Sequence, residues 1–350
     1  MRILLALLVL GILVFIHELG HFMAAKVSGM RVEKFSIGMG PAISSFRRGD
    51  TEYVLGAIPA GGFVSVAGIE PDDEEGSEDP RLYHNRSLMQ RAFFAAAGPA
   101  MNILLTFGLL FGLYMIGGVS EPEPMDTVIS QVQENSPAAA AGLRAGDRIQ
   151  MVGDVEVSSW QEIGQAVQHA GDSAVQLTYS RENTRYHATL QPAWNETNQA
   201  FSLGILKEPV FKKHMPSAQE AATLSGRMTV TMATMIVDAV HKLVTRQADL
   251  TSETEGLTGP VGMVKVIDDS IANGFESVIY LMSVLSINLG IINLLPIPAL
   301  DGSRLMFIFL EGIRGQRIDP EKESIVNFGG FVFLMLLMLY VTFNDISNLL

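Results

Sequence analysis

Apolar residues gather in four runs, at about 3–25, 92–116, 277–300 and 324–344. Each is near the roughly 20 residues that a helix needs to cross about 30 Å of hydrocarbon. The stretches Ala92–Ser120 and Ser277–Leu300 hold no charged residue. The first run resembles a secretory leader, with Arg2 ahead of apolar residues. No A-x-A-like site closes it, and it runs on into His17, Glu18 and His21, which a cleaved leader would discard. It is therefore expected to stay as a span. The pattern predicts a polytopic α-helical membrane protein with four transmembrane helices.

The pattern changes between the spans. From about 31 to 68, β-branched and aromatic residues alternate with glycines, as in Phe35-Ser36-Ile37-Gly38, Tyr53-Val54-Leu55 and Gly62-Phe63-Val64-Ser65-Val66. This predicts short strands joined by turns. They form either a plain soluble hairpin or a membrane-associated β-hairpin loop whose open edge binds an extended peptide by strand addition. The acidic stretch 70–79 reads as a solvated linker ahead of the second span. Residues 121–210 read as an inserted α+β domain. A strand at Thr127–Val132 is followed by Ser136-Pro137-Ala138, then Gly142-Leu143-Arg144-Ala145-Gly146-Asp147-Arg148-Ile149. A strand-like Gln150–Val157, a helix-like Ser159–His169, and strands near Val175–Tyr179 and Tyr186–Leu190 complete it. The pattern S-P-A followed by G-L-x-x-G-D-x-I resembles a PDZ domain over about Asp126–Gln191. A PDZ domain takes an extended peptide ligand. Residues 211–274 read as an amphipathic membrane-associated segment. Arg227, Asp238, His241 and Lys242 interrupt it too often for a span. It is expected to lie on the membrane surface or to pack against the spans.

Composition narrows the chemistry. The formal net charge of −13 speaks against a nucleic-acid partner, which needs a basic face. With no cysteine, disulfides and thiolate metal sites are excluded, so any metal is held by His, Asp or Glu. Basic residues set the topology. Lys26, Arg31, Lys34, Arg47, Arg48, Arg81, Arg86 and Arg91 lie between the first two spans, and Arg314, Arg317 and Lys322 between the last two. Both loops are expected in the cytoplasm, with the termini and the insert outside.

His17-Glu18-Leu19-Gly20-His21 is an H-E-x-x-H motif. Two His four apart on a helix share a face and reach one metal ion, with the Glu beside it as the base. Zinc in such a site lowers the pKa of its water to about 7, which supplies a nucleophile for peptide hydrolysis. Three such side chains inside an apolar span are costly, and default to function rather than to a hydrogen-bonded link between helices. A hydrolytic zinc needs a third protein ligand. Glu33 is one candidate, but it sits in the strand-like loop. Asp301 is better placed, in Asn293-Leu294-Leu295-Pro296-Ile297-Pro298-Ala299-Leu300-Asp301-Gly302. Its prolines break the helix beside a cavity or protein, and the topology puts it at the depth of the two His. The plain alternative is a helix-end residue at the interface.

The early H-E-x-x-H together with the late N-x-x-P-x-P-x-x-D-G resembles the site-2 protease family of intramembrane zinc metalloproteases. The resemblance takes in Gly62-Phe63-Val64, Gly98-Pro99-Ala100-Met101-Asn102, the PDZ pattern and Gly259-Pro260, so it covers nearly the whole chain. It implies His17, His21 and Asp301 as ligands of one Zn2+, and Glu18 as the catalytic base. It implies Asn293 at the substrate backbone, with Pro296 and Pro298 beside it, and Asn102 as a support. Gly62, Phe63 and Val64 would hold the substrate as an added strand. The implied activity is regulated intramembrane proteolysis in the bacterial inner membrane. The implied substrates are single-span proteins, such as anti-sigma factors or remnant signal peptides. Some relatives carry two PDZ domains in tandem; this chain shows one. A transporter would share the buried polar cluster but predicts internal repeats, and none is seen. A catalytically dead scaffold predicts decay of the ligand set, which is complete.

Overall fold

The computed structural model describes residues 2–69, 78–122, 126–196, 199–208, 210–245 and 260–349. It divides into two compact units, 1–117 with 216–350, and 118–215. In the first unit, helix α1 (Arg2–Val27) leads into two long strands, β1 (Val32–Arg48) and β2 (Thr51–Val66), and then helix α2 (Leu88–Gly117). The β ribbon is more folded than short strands joined by turns. Lys34–Ile37 pairs with Gly62–Ser65 on one side and with Glu52–Leu55 on the other, and Glu52–Leu55 pairs in turn with Ser44–Arg47. Gly62–Val66 is thereby an edge, with no strand partner on its outer side among the described residues. Phe22 of α1 stacks on Phe35 of β1, with ring centroids 4.7 Å apart, which ties the ribbon to the helix one residue from His21. Met39, Ile43, Phe46 and Ile58 are exposed on the ribbon, a surface suited to lipid rather than water.

The second unit is the insert. Strand β3 (Val119–Pro122) opens it and β4 (Gln131–Val132) follows, then the short helix α3 (Pro137–Ala140). Strands β5 (Arg148–Val152) and β6 (Val155–Glu156), helix α4 (Trp160–Ala170), and strands β7 (Val175–Arg181) and β8 (Thr184–Leu190) come next. The unit ends with β9 (Ala193–Asn195), β10 (Ala200–Ser202), β11 (Ile205–Leu206) and β12 (Phe211–His214). A four-stranded antiparallel sheet in the order β6-β5-β7-β8 packs on α4. Ile129, Ile149, Ile163, Val167 and Leu177 form its core. Ser136 caps α3 and Ser159 caps α4, each accepting from the backbone N–H three residues on. The fully buried Asp147 is paired with Arg181 at 2.7 Å and accepts from the Arg144 N–H. Strand β12 pairs with β3, so the two ends of the insert lie side by side.

Back in the first unit, α5 (Ala218–Val244) and α6 (Pro260–Ala272) precede α7 (Phe275–Leu294), α8 (Asp301–Arg314) and α9 (Pro320–Leu349). Among the described residues, four helices are long and apolar enough to span a membrane: 5–27, 88–117, 275–294 and 320–343. The third span ends at Leu294 rather than near 300, because Pro296 and Pro298 remove backbone donors and block the helix. The segment 211–274 is not one surface helix. Its longest part, α5, packs against α2 and α7 through Met232, Leu110 and Ile287. Ser225 and Thr229, buried in α5, donate to carbonyls one turn back, which satisfies their hydroxyls away from water. Most of the acidic linker, residues 70–77, and Gly259 lie outside the described residues.

Helices α1, α2 and α7 approach closely through small residues. A Cβ on Gly20 would collide with the Ala97 carbonyl, and one on Gly290 would lie 3.0 Å from the Pro99 carbonyl. Ser286 of α7 donates to the Asn102 carbonyl at 2.8 Å across the α2–α7 seam, and the Thr106 hydroxyl of α2 lies 3.0 Å from that carbonyl and 3.2 Å from the Ser283 carbonyl of α7. Arg91 of α2 forms a two-pronged ion pair with Glu311 of α8 at 2.9 and 2.6 Å, so the start of α8 is held against α2 from its far end.

Candidate metal centre

His17 and His21 lie one helical turn apart on α1, and both rings are buried. The first residue of α8, Asp301, meets them from a separate element nearly 300 positions along the chain. The Asp301 Oδ2 is 3.0 Å from the His17 Nε2 and 3.3 Å from the His21 Nε2, and the two nitrogens are 3.2 Å apart. No other His, Asp or Glu among the described residues joins this cluster as a ligand. Ligands about 2.0–2.1 Å from a tetrahedral zinc stand about 3.3 Å from one another, so the three atoms fit three corners of such a site. Burial works to raise the Asp301 carboxyl, and its hydrogen bonds to His17 and His21 outweigh that, holding it well below the usual carboxylate range. An ionised carboxylate is the form that binds metal.

The outer nitrogens support the same reading. The His21 Nδ1 lies 2.8 Å from the Phe94 carbonyl, which can only accept, so Nδ1 carries the proton and Nε2 keeps its lone pair. The His17 Nδ1 lies 3.0 Å from the Asn102 amide nitrogen, while the Asn102 Oδ1 is buried without a partner. Turning that amide by half a rotation places Oδ1 against an Nδ1–H and frees the His17 Nε2 as well. Both residues that orient the rings belong to α2. Gly98, also on α2, lets it come this close: a Cβ there would collide with the His21 Nε2 and stand 2.8 Å from the His17 Nε2.

A cavity of about 290 Å³ opens on the cluster. Glu18, Phe63, Val64, Ser303, Arg304 and Asn327 line it with the three ligand-type residues. The Val64 backbone lies near the Glu18 carboxylate. Gly62 packs beside it, where an added Cβ would lie 3.8 Å from the Glu18 Cγ. Of the residues expected from sequence, Asn293, Pro296 and Pro298 stay outside the cavity wall. Pro298 packs instead on Gly330 of α9. Glu33 pairs with Arg31 at 3.3 Å, away from the imidazoles.

The sequence reading did not single out Gly98 by itself, Phe94, Ser303, Arg304 or Asn327. Asn327 alone had a usable signal, as a polar side chain near the start of an apolar span.

The sequence model of peptidase family M50 matches residues 5–337. The chain belongs to peptidase family M50. A putative zinc metalloprotease of Clostridium acetobutylicum is 34% identical to it over 345 residues, covering 99% of this chain and 97% of its own. The zinc metalloprotease RasP of Shouchella clausii is 34% identical, covering 97% of each chain. The regulator of sigma-W protease RasP of Bacillus subtilis is 32% identical, over 98% of this chain and 97% of its own. The PDZ domain of an SdrC-like protein of Listeria innocua is 25% identical where it matches, with a TM-score of 0.22, over 26% of this chain and 99% of that domain. This M50 chain is a multi-pass membrane protein, in which a separate β-rich unit is inserted after α2.

Proposed function

We propose that this zinc metalloprotease cleaves single-span membrane proteins within the bilayer, with His17, His21 and Asp301 as metal ligands and Glu18 as the base. The observation that carries the reading is the triangle of ligand atoms, 3.0, 3.2 and 3.3 Å on its sides, with Glu18 in the wall of the same cavity. Zinc held there supplies an acidified water and polarises the scissile carbonyl. The chain's own residues do the rest. Glu18 takes a proton from the water as its oxygen bonds to the carbonyl carbon. It then gives that proton to the amide nitrogen as the C–N bond breaks. Asn102 and the Phe94 carbonyl hold the rings in the ligand tautomer.

A helical substrate hides its backbone groups, so it must be extended before water can attack. The edge Gly62–Val66 would receive it as an added strand, with Phe63 and Val64 over the cavity. Asn293, beside Pro296 and Pro298, takes its place at the substrate backbone from the family resemblance alone. The excess of basic residues between the first two spans, 26–91, and between the last two, 314–322, supports a site on the cytoplasmic side of a bacterial inner membrane, with both termini and the insert outside. RasP of Bacillus subtilis is named a regulator of sigma-W. By analogy, anti-sigma factors and remnant signal peptides are the substrate classes for this chain in regulated intramembrane proteolysis, and the PDZ domain takes a peptide.

Comparing wild type with Glu18→Gln on a single-span substrate tests the mechanism. The variant is expected to hold one zinc per chain and to lose at least about a thousandfold in cleavage rate, since the nucleophile and its proton acceptor act as a unit. Equal cleavage by both proteins would defeat it.

A further inference from the structure

The third ligand-type residue arrives on a strained loop, and helix α9 grips the backbone on either side of that residue. Between α7 and α8 the chain turns through Leu295–Leu300, where Ala299 adopts φ +75°. That left-handed conformation is unfavourable for a residue with a Cβ, so something must hold it. The hold comes from α9. Asn327 Oδ1 accepts the Ala299 N–H at 3.1 Å and lies 2.9 Å from the Ser303 hydroxyl. One side-chain oxygen thus brackets Asp301, from two residues before it to two residues after. The Ser303 hydroxyl shares its single proton between this oxygen and the Leu300 carbonyl at 2.7 Å. Gly330, one turn along α9, rests on Pro298 so closely that a Cβ would overlap it. The rest of α9 is thinly attached. Its apolar window buries no residue, and a further described tie is Asp345, accepting from the Gly262 N–H.

We propose that Asn327 is a positioning residue, which keeps the Asp301 carboxylate within reach of the two imidazoles by pinning the backbone on either side of it. This rests on the reading of His17, His21 and Asp301 as a metal site. It makes the fourth span part of the catalytic apparatus without touching the metal. It also links any outward movement of α9 to a looser grip on the ion.

The test uses the full chain, purified in detergent with zinc bound. Competition by a chelator reads the zinc off-rate, and cleavage of a single-span substrate reads kcat and KM. Asn327→Ala is expected to release zinc at least about tenfold faster and to lower kcat with KM within about twofold. Asn327→Asp keeps an acceptor oxygen at the same reach and is expected to recover zinc retention to within about threefold of wild type. Val326→Ala, an exposed neighbour on the same helix, reports general loosening of α9 and is expected to match wild type. Wild-type zinc retention in Asn327→Ala would overturn the proposal, as would losses of equal size in Asn327→Asp and Val326→Ala. If Asn327→Ala does not accumulate, Ser303→Ala removes one arm of the bracket and is expected to speed zinc release by about threefold, and no change there overturns the proposal equally. Asp301→Ala separates the two levels. Full zinc retention in that variant would sink the metal site itself, whereas failure at Asn327 alone would leave the site standing.

Discussion

At Gly98 one methyl group would fall where the proposed metal site needs space. Helix α2 supplies both groups that orient the imidazoles, the Phe94 carbonyl and the Asn102 amide, so it must lie against α1 at the level of the rings. A Cβ at position 98 would occupy the space between the two metal-facing nitrogens. Alanine favours a helix over glycine by about 1 kcal/mol, so Gly98→Ala should leave α2 formed. The expected outcome is a folded, membrane-inserted protein that binds zinc at least about a hundredfold more weakly, with circular dichroism like that of wild type. Metal analysis after dialysis checks it. One zinc per chain in Gly98→Ala would show that the rings can move aside at little cost, against the close packing described above. This residue was hard to find from sequence. The H-E-x-x-H motif names its own chemistry through residue type and spacing, whereas Gly98 acts only through what it lacks, across a helix pair. Asp301 was legible for a different reason. Two prolines within an apolar run mark a broken helix, and a carboxylate follows the break.

The elements were legible in proportion to how much of their pattern is local. The four spans stand out because uncharged apolar runs of that length have few other solutions. The C-terminal end of the third span moved inward, to Leu294, because the prolines act before the apolar run finishes. The ribbon showed its strands but not its order, since pairing Lys34–Ile37 on both sides joins segments separated by hairpins. Helix α5 was ambiguous because Arg227, Asp238, His241 and Lys242 share it with the Met232 face. The edge strand Gly62–Val66 is the element on which the proposed substrate binding rests. Its Val64 backbone lies near Glu18, and its outer side is free of strand partners among the described residues. Proline at position 64 removes the backbone N–H there, and an edge strand tolerates it better than a central one. Val64→Pro is expected to keep zinc but to lower kcat/KM by at least about tenfold, through the loss of a rung for an added strand beside Glu18. Cleavage within about twofold of wild type would mean that neither Glu18 nor the substrate depends on this edge.

At the scale of the whole molecule, the insert is a self-contained unit threaded into the chain between α2 and α5. Its core is its own, and its buried Asp147–Arg181 pair is internal. Strands β3 and β12 pair at its base, with Val119 opposite His214. Paired strands lie about 5 Å apart, so the ends left by removing 120–213 can be rejoined by a short glycine linker without displacing α2 or α5. None of the residues around the metal centre belongs to the removed stretch. The excised protein should therefore hold zinc as wild type does and cleave a substrate already trimmed of its outer domain at a rate within about threefold. If the insert acts as a gate, by excluding bulky outer domains or by reading a new carboxyl terminus, excision should also admit untrimmed substrates that the intact protein leaves alone. The measurement is a pair of cleavage assays, with trimmed and untrimmed forms of one single-span protein. Gain of cleavage on the untrimmed form alone supports the gate. The same preference before and after excision would place substrate choice in the membrane unit, where the edge strand and the cavity would then have to make it.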